Sequence, residues 1–376
     1  MPEMIMLEDY LMRMGQMKAS DLFIRAGSAP TYRVFGRIER TELPPATQAD
    51  IQAFMKRVLT PFALEQFMKS PDLDIAYSFN GSGRFRINFF MQQGRLGMAA
   101  RLIPSGAVDF DTLGLPESIR DMAKAKTGLI LIVGPTGCGK STTLASLVHY
   151  INTTRTDHIV TVEDPIEFVH EEAMSLIHQR QVGSDTVSFA TALRHIVRQN
   201  PDVILIGEMR DADTVQTALA AALTGHLILS TLHTSNVVQS VDRMLNYFAP
   251  EARRQAQVDL ATTLVGAVSM RLLRRSDGSG RSPAVEVLLA TPLVRKLIAE
   301  GNFSELHDVM KRGQDSGMCT LNQSLVSLVK KGLVSHEDAL AVAGNPDELR
   351  LNLQGMYTGI DSIDLRNVVK KKEEDE

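Results

Sequence analysis

The sequence predicts an α/β chain in two parts, an antiparallel α+β domain followed by a larger domain with a mostly parallel sheet. Three observations carry this reading. Residues 4–103 mix helical spacing with short alternating strands. The stretch PSGAVDFDTLGLP then breaks all periodicity with two prolines and two glycines. Beyond it, apolar strands alternate with helical segments, the pattern of a parallel sheet covered on both faces.

Each element follows from its own spacing. MIMLEDYLMRMGQMK, residues 4–18, places apolar side chains on one face of a helix. DLFIRAG and TYRVFGRIE read as strands flanking a turn at 28–30. Residues 48–69 read as helical. DIAYSF, GRFRINFFMQQ and RLGMAARLI read as a meander that turns at Gly81, Gly83 and Gly94. These place one domain at 1–103, a linker at 104–118 and a second domain at 119–343. The strands of the second domain are LILIVG, HIVTVED, VILIGE, LILSTLH and AVEVLLA. EARRQAQVDLATTLVGAVSMRLL reads as one long helix packed on the sheet. Short helices follow Pro292, and residues 344–376, ending in KKKEEDE, read as a flexible tail.

Composition narrows the class. At 376 residues, 44% hydrophobic and 22% charged, the chain can bury the cores of two globular domains. A formal net charge of -4 gives no general attraction to nucleic acid. Cys138 and Cys319 are too few for a disulfide framework or a four-cysteine zinc site, which fits a reducing cytoplasm. The start, MPEMIMLEDYLMRMG, has early acids and no signal-peptide pattern. No run reaches the roughly 18 apolar residues of a membrane span, so membrane association is expected to be peripheral. The 18 methionines fall at apolar helical positions and read as core filler.

The chemistry concentrates after the linker. Gly134, Pro135, Thr136, Gly137, Cys138, Gly139, Lys140 and Ser141 spell G-x-x-x-x-G-K-S between a strand and a helix, and Thr142 follows. That context makes the motif a phosphate cradle. Its glycines let backbone N–H groups face the β-phosphate, and the helix N-terminus adds positive potential. Lys140 is placed to reach the β- and γ-phosphates of ATP, and Ser141 to ligate Mg2+. Cys138 reads as a small filler of the loop.

VILIGEMRD is less orthodox. An apolar strand of this kind should end in an aspartate that orients magnesium, yet Ile206 is followed by Gly207 and Glu208. Upstream, HIVTVEDPIEF ends its own strand in Glu163 and Asp164 before Pro165. Two strand ends thus deliver carboxylates to the edge where ligands collect. Glu163 is assigned to orient the attacking water, and Glu208, with Asp164 nearby, to the magnesium side. The sequence leaves the roles of Glu163 and Glu208 exchangeable. GHLILSTLHTSN places His226 before a strand and His233 at its end. Either could bind phosphate or relay occupancy to a neighbouring subunit, with His233 the stronger candidate.

GPTGCGKSTT, TVEDPIEF, RQNPDVILIGEMRD and TGHLILSTLHTSN occur in that order. They resemble the Walker A, Asp box, Walker B and His box of the type II/IV secretion ATPases. The branch most similar is that of the type IV pilus retraction ATPases, the PilT/PilU family, over residues 19 to about 350. MKRGQDSGMCTLNQSL and EDALAVAGNPDELRL lean towards its PilU side, the accessory motors. LVRKLIAEG departs from the segment PilT usually carries, AIRNLIRE. The resemblance implies a PAS-like N-terminal domain and a RecA-like P-loop domain. It also implies a homohexamer, domain rotation about the 104–116 linker, and partners in a PilT-like retraction ATPase and an inner-membrane platform protein. It makes Gly207 a family feature, Glu208 the Walker B acid and Glu163 the catalytic Asp-box acid. By position it assigns Arg86, Arg95 and Arg101 to the γ-phosphate, where guanidinium groups neutralise charge in phosphoryl transfer.

The alternative is a DNA-translocating motor. Its one candidate contact, MRLLRRSDGSGR at 270–281, is basic but has no aromatic side chain for base stacking.

Overall fold

The computed structural model describes residues 6–34, 37–79, 83–103 and 108–356. These divide into two compact units, one within Met1–Gly106 together with Glu167–Val169, the other within Ala107–Ile166 and from His170 onward.

The first unit contains α1 (Leu7–Gln16), β1 (Ala19–Arg25), β2 (Thr31–Val34), β3 (Arg37–Arg40), α2 (Gln48–Val58), α3 (Pro61–Lys69), β4 (Asp72–Ser78), β5 (Arg84–Gln92) and β6 (Arg95–Ile103). The strands form an antiparallel sheet in the order β3-β2-β1-β6-β5-β4. Alternation sends Phe85, Ile87 and Phe89 of β5 into a core shared with Leu7, Leu11, Met14, Ile51 and Phe54 of the helices. The opposite face carries Arg86, Arg95 and Arg101. Gln92 pairs with Arg95 across a two-residue turn whose Gln93 and Gly94 both have positive φ. That backbone matches the right-handed twist of the strands it joins.

Two expectations for this unit change. TYRVFGRIE is not one strand: Val34 pairs with Arg37, so β2 and β3 form an antiparallel ladder. Phe35 and Gly36 between them, like Gly81, lie outside the described residues. The helix expected at 48–69 is two helices. Pro61 lacks the N–H that a continuous helix needs, and Thr60 caps the new start by accepting from the Ala63 N–H at 3.2 Å.

The second unit contains α4 (Glu117–Met122), β7 (Gly128–Val133), α5 (Lys140–Thr154), β8 (His158–Glu163), β9 (Leu176–Gln181), α6 (Phe189–Ile196), β10 (Val203–Ile206), α7 (Ala212–Leu223), β11 (Leu227–Leu232), α8 (Val237–Asn246), α9 (Pro250–Thr263), β12 (Leu264–Arg274) and β13 (Arg281–Leu289). Then come α10 (Pro292–Glu300), α11 (Leu306–Arg312), α12 (Leu321–Lys330), α13 (His336–Val342) and α14 (Pro346–Leu353). The sheet order is β13-β12-β7-β11-β10-β8-β9, parallel throughout except that β13 runs antiparallel to β12. Strands β7, β10 and β11 are buried along their whole length, as central strands covered on both faces must be.

The long helix expected at 251–273 is a correction: α9 stops at Thr263, and Leu264 begins β12. Its residues are claimed on one side by β7 and on the other by β13. Gly266 lies so close to β13 and α4 that a Cβ would fall 2.8 Å from the Leu288 carbonyl oxygen and the Met122 side chain. The expected linker is also shorter than 104–118. Phe110–Leu113 forms a 3-10 helix, with Phe110 buried beside Ile119 and Met122, while 104–107 lie outside the described residues. The expected tail likewise begins too early. In α14, Asn345 accepts from the Glu348 N–H at 3.2 Å, Leu349 is buried, and Glu348 pairs with Lys311 at 2.6 Å. One buried leucine in eight residues is too little to read as periodicity. KKKEEDE lies outside the described residues.

Candidate active site

The site is built at the carboxyl edge of the parallel sheet. The loop after β7 turns into α5 through Gly134, Gly137 and Gly139, all at positive φ. At Gly134 the backbone is also crowded: a Cβ would lie 2.6 Å from Cys138 Sγ and 2.8 Å from the Met270 carbonyl oxygen. Only glycine satisfies both restrictions. Cys138 is buried beneath the loop and Lys140 begins α5, while Pro135 and Thr136 face solvent. Lys140 Nζ donates to the Gly134 and Pro135 carbonyls, at 3.0 Å each, which lays its charge along the cradle. Ser141 and Thr142 occupy the first turn of α5 and are half-buried.

Neighbouring strands bring the acids to the same edge. Ladder spacing of about 4.8 Å puts β10 roughly 10 Å and β8 roughly 14 Å from β7. Glu208 follows β10 and is 8% exposed. One carboxylate oxygen pairs with Arg210. The other, Oε2, is buried without a hydrogen-bond partner and lies 3.5 Å from His233 Nε2. Burial, then the nearby Lys140 charge, pulls the His233 imidazole below its ordinary range, opposed by attraction to Glu208. A cleft of about 500 Å³ opens here, lined by Glu208, Met209, Arg210, His233, Arg243 and Tyr247.

Glu163 ends β8. Thr161 Oγ1 donates to its Oε1 at 2.7 Å and Gln179 Nε2 to the same oxygen at 3.3 Å, which fixes the carboxylate's direction. Asp164 follows, exposed, at a cis Asp164–Pro165 peptide. Gly207 explains how the two acids approach. Its N–H donates to the Val162 carbonyl at 2.8 Å, and its α-carbon packs against the Glu163 backbone. Thr231 Oγ1 secures the other side by donating to the Gly207 carbonyl at 2.6 Å.

The sequence-assigned residues therefore divide into three groups. The loop, Glu163, Asp164, Glu208 and His233 share one sheet edge. Arg86, Arg95 and Arg101 share the polar face of the first unit's sheet, where Arg86 pairs with Asp74 at 3.3 Å and Arg101 with Asp21 at 2.8 Å. His226 joins neither group. It precedes β11, so six strand residues, roughly 20 Å, separate it from the phosphate edge. Its Nδ1 lies 2.8 Å from the Ala221 carbonyl at the end of α7. Its place is a local contact at the opposite edge, away from the other residues assigned to the nucleotide. Arg210, Arg243, Tyr247, Thr161 and Gln179 were not anticipated. Arg210 and Thr161, each two residues from an assigned glutamate, were detectable by proximity; Tyr247 and Gln179 reach the site only through the fold.

Among the described residues, no three His, Cys, Asp or Glu side chains gather as a self-sufficient metal site. Magnesium bound through phosphates and water does not need one. The hydroxyl of Ser141 and the buried, unpartnered Oε2 of Glu208 are suitable donors for such an ion or its waters.

Comparison with known proteins agrees with this geometry. The model of the family described as "Type II/IV secretion system protein" matches residues 98–326, more than half of the chain. The type IV pilus retractation ATPase PilT of Pseudomonas aeruginosa is 39% identical over 88% of this chain and 95% of its own length. The type IV pilus ATPase PilU of the same organism is also 39% identical, over 92% and 91% respectively. Among solved structures, the pilus retraction motor PilT with bound ADP is similar at TM-score 0.86 and 39% identity, covering 92% of this chain and 99% of that one. The Legionella pneumophila ATPase DotB follows the same fold at TM-score 0.75 and 27% identity, over 92% and 98%. A glycine cradle with its lysine, two strand-end glutamates and this similarity lead to one conclusion: the chain belongs to the type II/IV secretion system protein family, as a nucleotide-binding ATPase of its PilT/PilU group.

Proposed function

We propose that this chain is a hexameric cytoplasmic motor that powers type IV pilus retraction from the inner-membrane face, as a PilU-like accessory to a PilT-like ATPase. The observation that carries this reading is 39% identity to two type IV pilus ATPases across nearly their whole lengths. Among the described residues no helix is long and apolar enough to cross a membrane, so a platform protein is the expected anchor.

In the proposed cycle the 134–141 loop binds the phosphates of ATP through backbone N–H groups, and Lys140 moves from its loop carbonyls to the β- and γ-phosphates. Glu163, already oriented by Thr161 and Gln179, holds the attacking water and accepts its proton as the γ-phosphoryl group is transferred. ADP and phosphate are the products. Ser141, Glu208 and Asp164 are the residues to hold magnesium, which when bound supplies charge neutralisation at the phosphate oxygens. Glu208 takes the metal side because β10 is nearer the loop than β8 and because its free oxygen is buried. His233, with Nε2 3.5 Å from the Glu208 carboxylate, lines the same edge. Arg86, Arg95 and Arg101 serve to neutralise charge on the transferred group.

The test is to time retraction of labelled pili against a calibrated load in the native cell, with this gene intact or deleted. An accessory motor predicts that deletion leaves extension normal and unloaded retraction present, while retraction stalls at lower force. Loss of all retraction would make the chain the main motor. Unchanged extension and unchanged retraction at every load would overturn the proposal.

A further inference from the structure

Among the described residues of the second unit, Glu286 is a buried carboxylate that the cycle leaves unused. It sits in β13 at 4% exposure, directly across the ladder from Ser269 of β12. The start of α8 packs on β13, with the Val237 N–H facing this carboxyl. Asn236 already caps α8 in the ordinary way, accepting from the Gln239 N–H at 2.8 Å. A helix start already capped by its own loop thus also faces a carboxyl from a strand remote in sequence.

The same face of the β12–β13 ladder reaches further along that loop. Ser269 Oγ donates to the Ser235 carbonyl at 3.3 Å, and Arg271 Nη2 donates to the same oxygen at 2.6 Å. Two residues before Ser235 stands His233, whose Nε2 lies 3.5 Å from Glu208. We propose that Glu286 is a positioning residue for ATP hydrolysis: with Ser269 it clamps residues 235–237 to the sheet, and so fixes where His233 meets Glu208.

The chemistry of the clamp supports a task beyond packing. Burial pushes the Glu286 carboxyl up to about 7, against the pull of the Val237 N–H and Arg271. An apolar side chain at this position would avoid that burden. Glutamate instead supplies an acceptor to an N–H that would otherwise be buried in the first turn, where the helix dipole also favours negative charge.

The inference rests on the proposed part of Glu208 and His233 in hydrolysis. That part fails separately, by undiminished turnover in Glu208→Gln. The experiment measures steady-state ATP hydrolysis and ADP binding by the full chain with magnesium, alongside thermal unfolding. Glu286→Leu is expected to lower kcat ~10-fold, in line with the cost of a small misplacement near the chemistry, with KM and ADP affinity unchanged. Glu286→Gln keeps an acceptor for the Val237 N–H and is expected to restore kcat to near the original value. If Glu286→Leu does not fold, Ser269→Ala, which removes one donor to Ser235, decides, with a drop of ~3-fold in kcat at constant KM expected. A folded Glu286→Leu with full kcat overturns the proposal. So does a Glu286→Gln variant as impaired as the leucine variant, or a Ser269→Ala variant with full kcat where the leucine variant does not fold.

Discussion

Gly207→Ala adds one methyl group between the two strand ends that carry the acids. Built on this backbone, the new Cβ lies 3.3 Å from Glu163 Cα, 3.4 Å from the Val162 carbonyl oxygen and 3.5 Å from Phe189 Cε1. Carbon pairs rest comfortably at about 3.5–4.0 Å, so relief takes a few tenths of an ångström. The phenyl ring can give, but the first two contacts are backbone of β8, which is hydrogen-bonded to β10 on one side and β9 on the other. Relief therefore parts the ends of β8 and β10 and stretches the 2.8 Å bond from Gly207 to Val162. Overpacking by one methyl costs about 1–2 kcal/mol, partly offset by the stiffer unfolded chain, so the net loss of stability is about 1 kcal/mol. A misplacement of ~1 Å costs ~100-fold in rate, and a few tenths therefore ~3–10-fold in kcat. Steady-state ATP hydrolysis with thermal unfolding separates the two effects. Gly225→Ala is the control: it strains a left-handed residue with open space around it, beyond the opposite sheet edge, and should lower stability without touching kcat. A Gly207→Ala variant with unchanged kcat would refute the claim that this glycine sets the spacing of the acids.

Other outcomes follow from the same geometry. Glu208→Gln should leave ADP affinity within a few-fold while lowering kcat ~100-fold or more, measured by turnover and nucleotide titration. Lys140→Ala removes the charge laid along the cradle and should abolish the rise in Tm that ADP gives the original chain. The His233 imidazole should titrate below 6.5 by NMR, because burial and Lys140 both disfavour its charged form. Stability should depend on pH through Glu286. Below about 4.5 the carboxyl is protonated in both folded and unfolded chains, so its burial carries no ionisation penalty. As pH rises to about 7, the unfolded chain ionises first and stability falls, by about 3 kcal/mol at most. Glu286→Gln should therefore raise stability relative to the original chain at pH 8 and lose that advantage towards pH 5, as read by chemical denaturation.

How much of this was legible in the sequence depended on how local the cause was. The cradle, the central strands and the placement of Glu163, Glu208 and His233 were readable because each is written in one contiguous motif whose strand end dictates its position. The failures were tertiary. Leu264–Arg274 became β12 because β7 and β13 compete for its backbone, a fact that helical spacing in the stretch before it concealed. Pro61 was a local signal that should have divided the 48–69 helix. His226 stands apart from His233 because β11 runs between them and carries the two histidines of one motif to opposite edges. Glu286 had no motif at all. Only the β12–β13 ladder brings it to the start of α8, 49 positions earlier in the chain by residue number (286 − 237).

Hydrolysis at this sheet edge is proposed to drive pilus retraction. The direct measurement replaces the chromosomal gene with Glu208→Gln and times labelled pili in living cells, with protein level and assembly verified. Normal extension is expected, with retraction that slows or stalls under load, because the variant holds nucleotide without turning it over. Retraction at full speed and full force, with extension equally unaffected, would show that this ATP site drives some other machine.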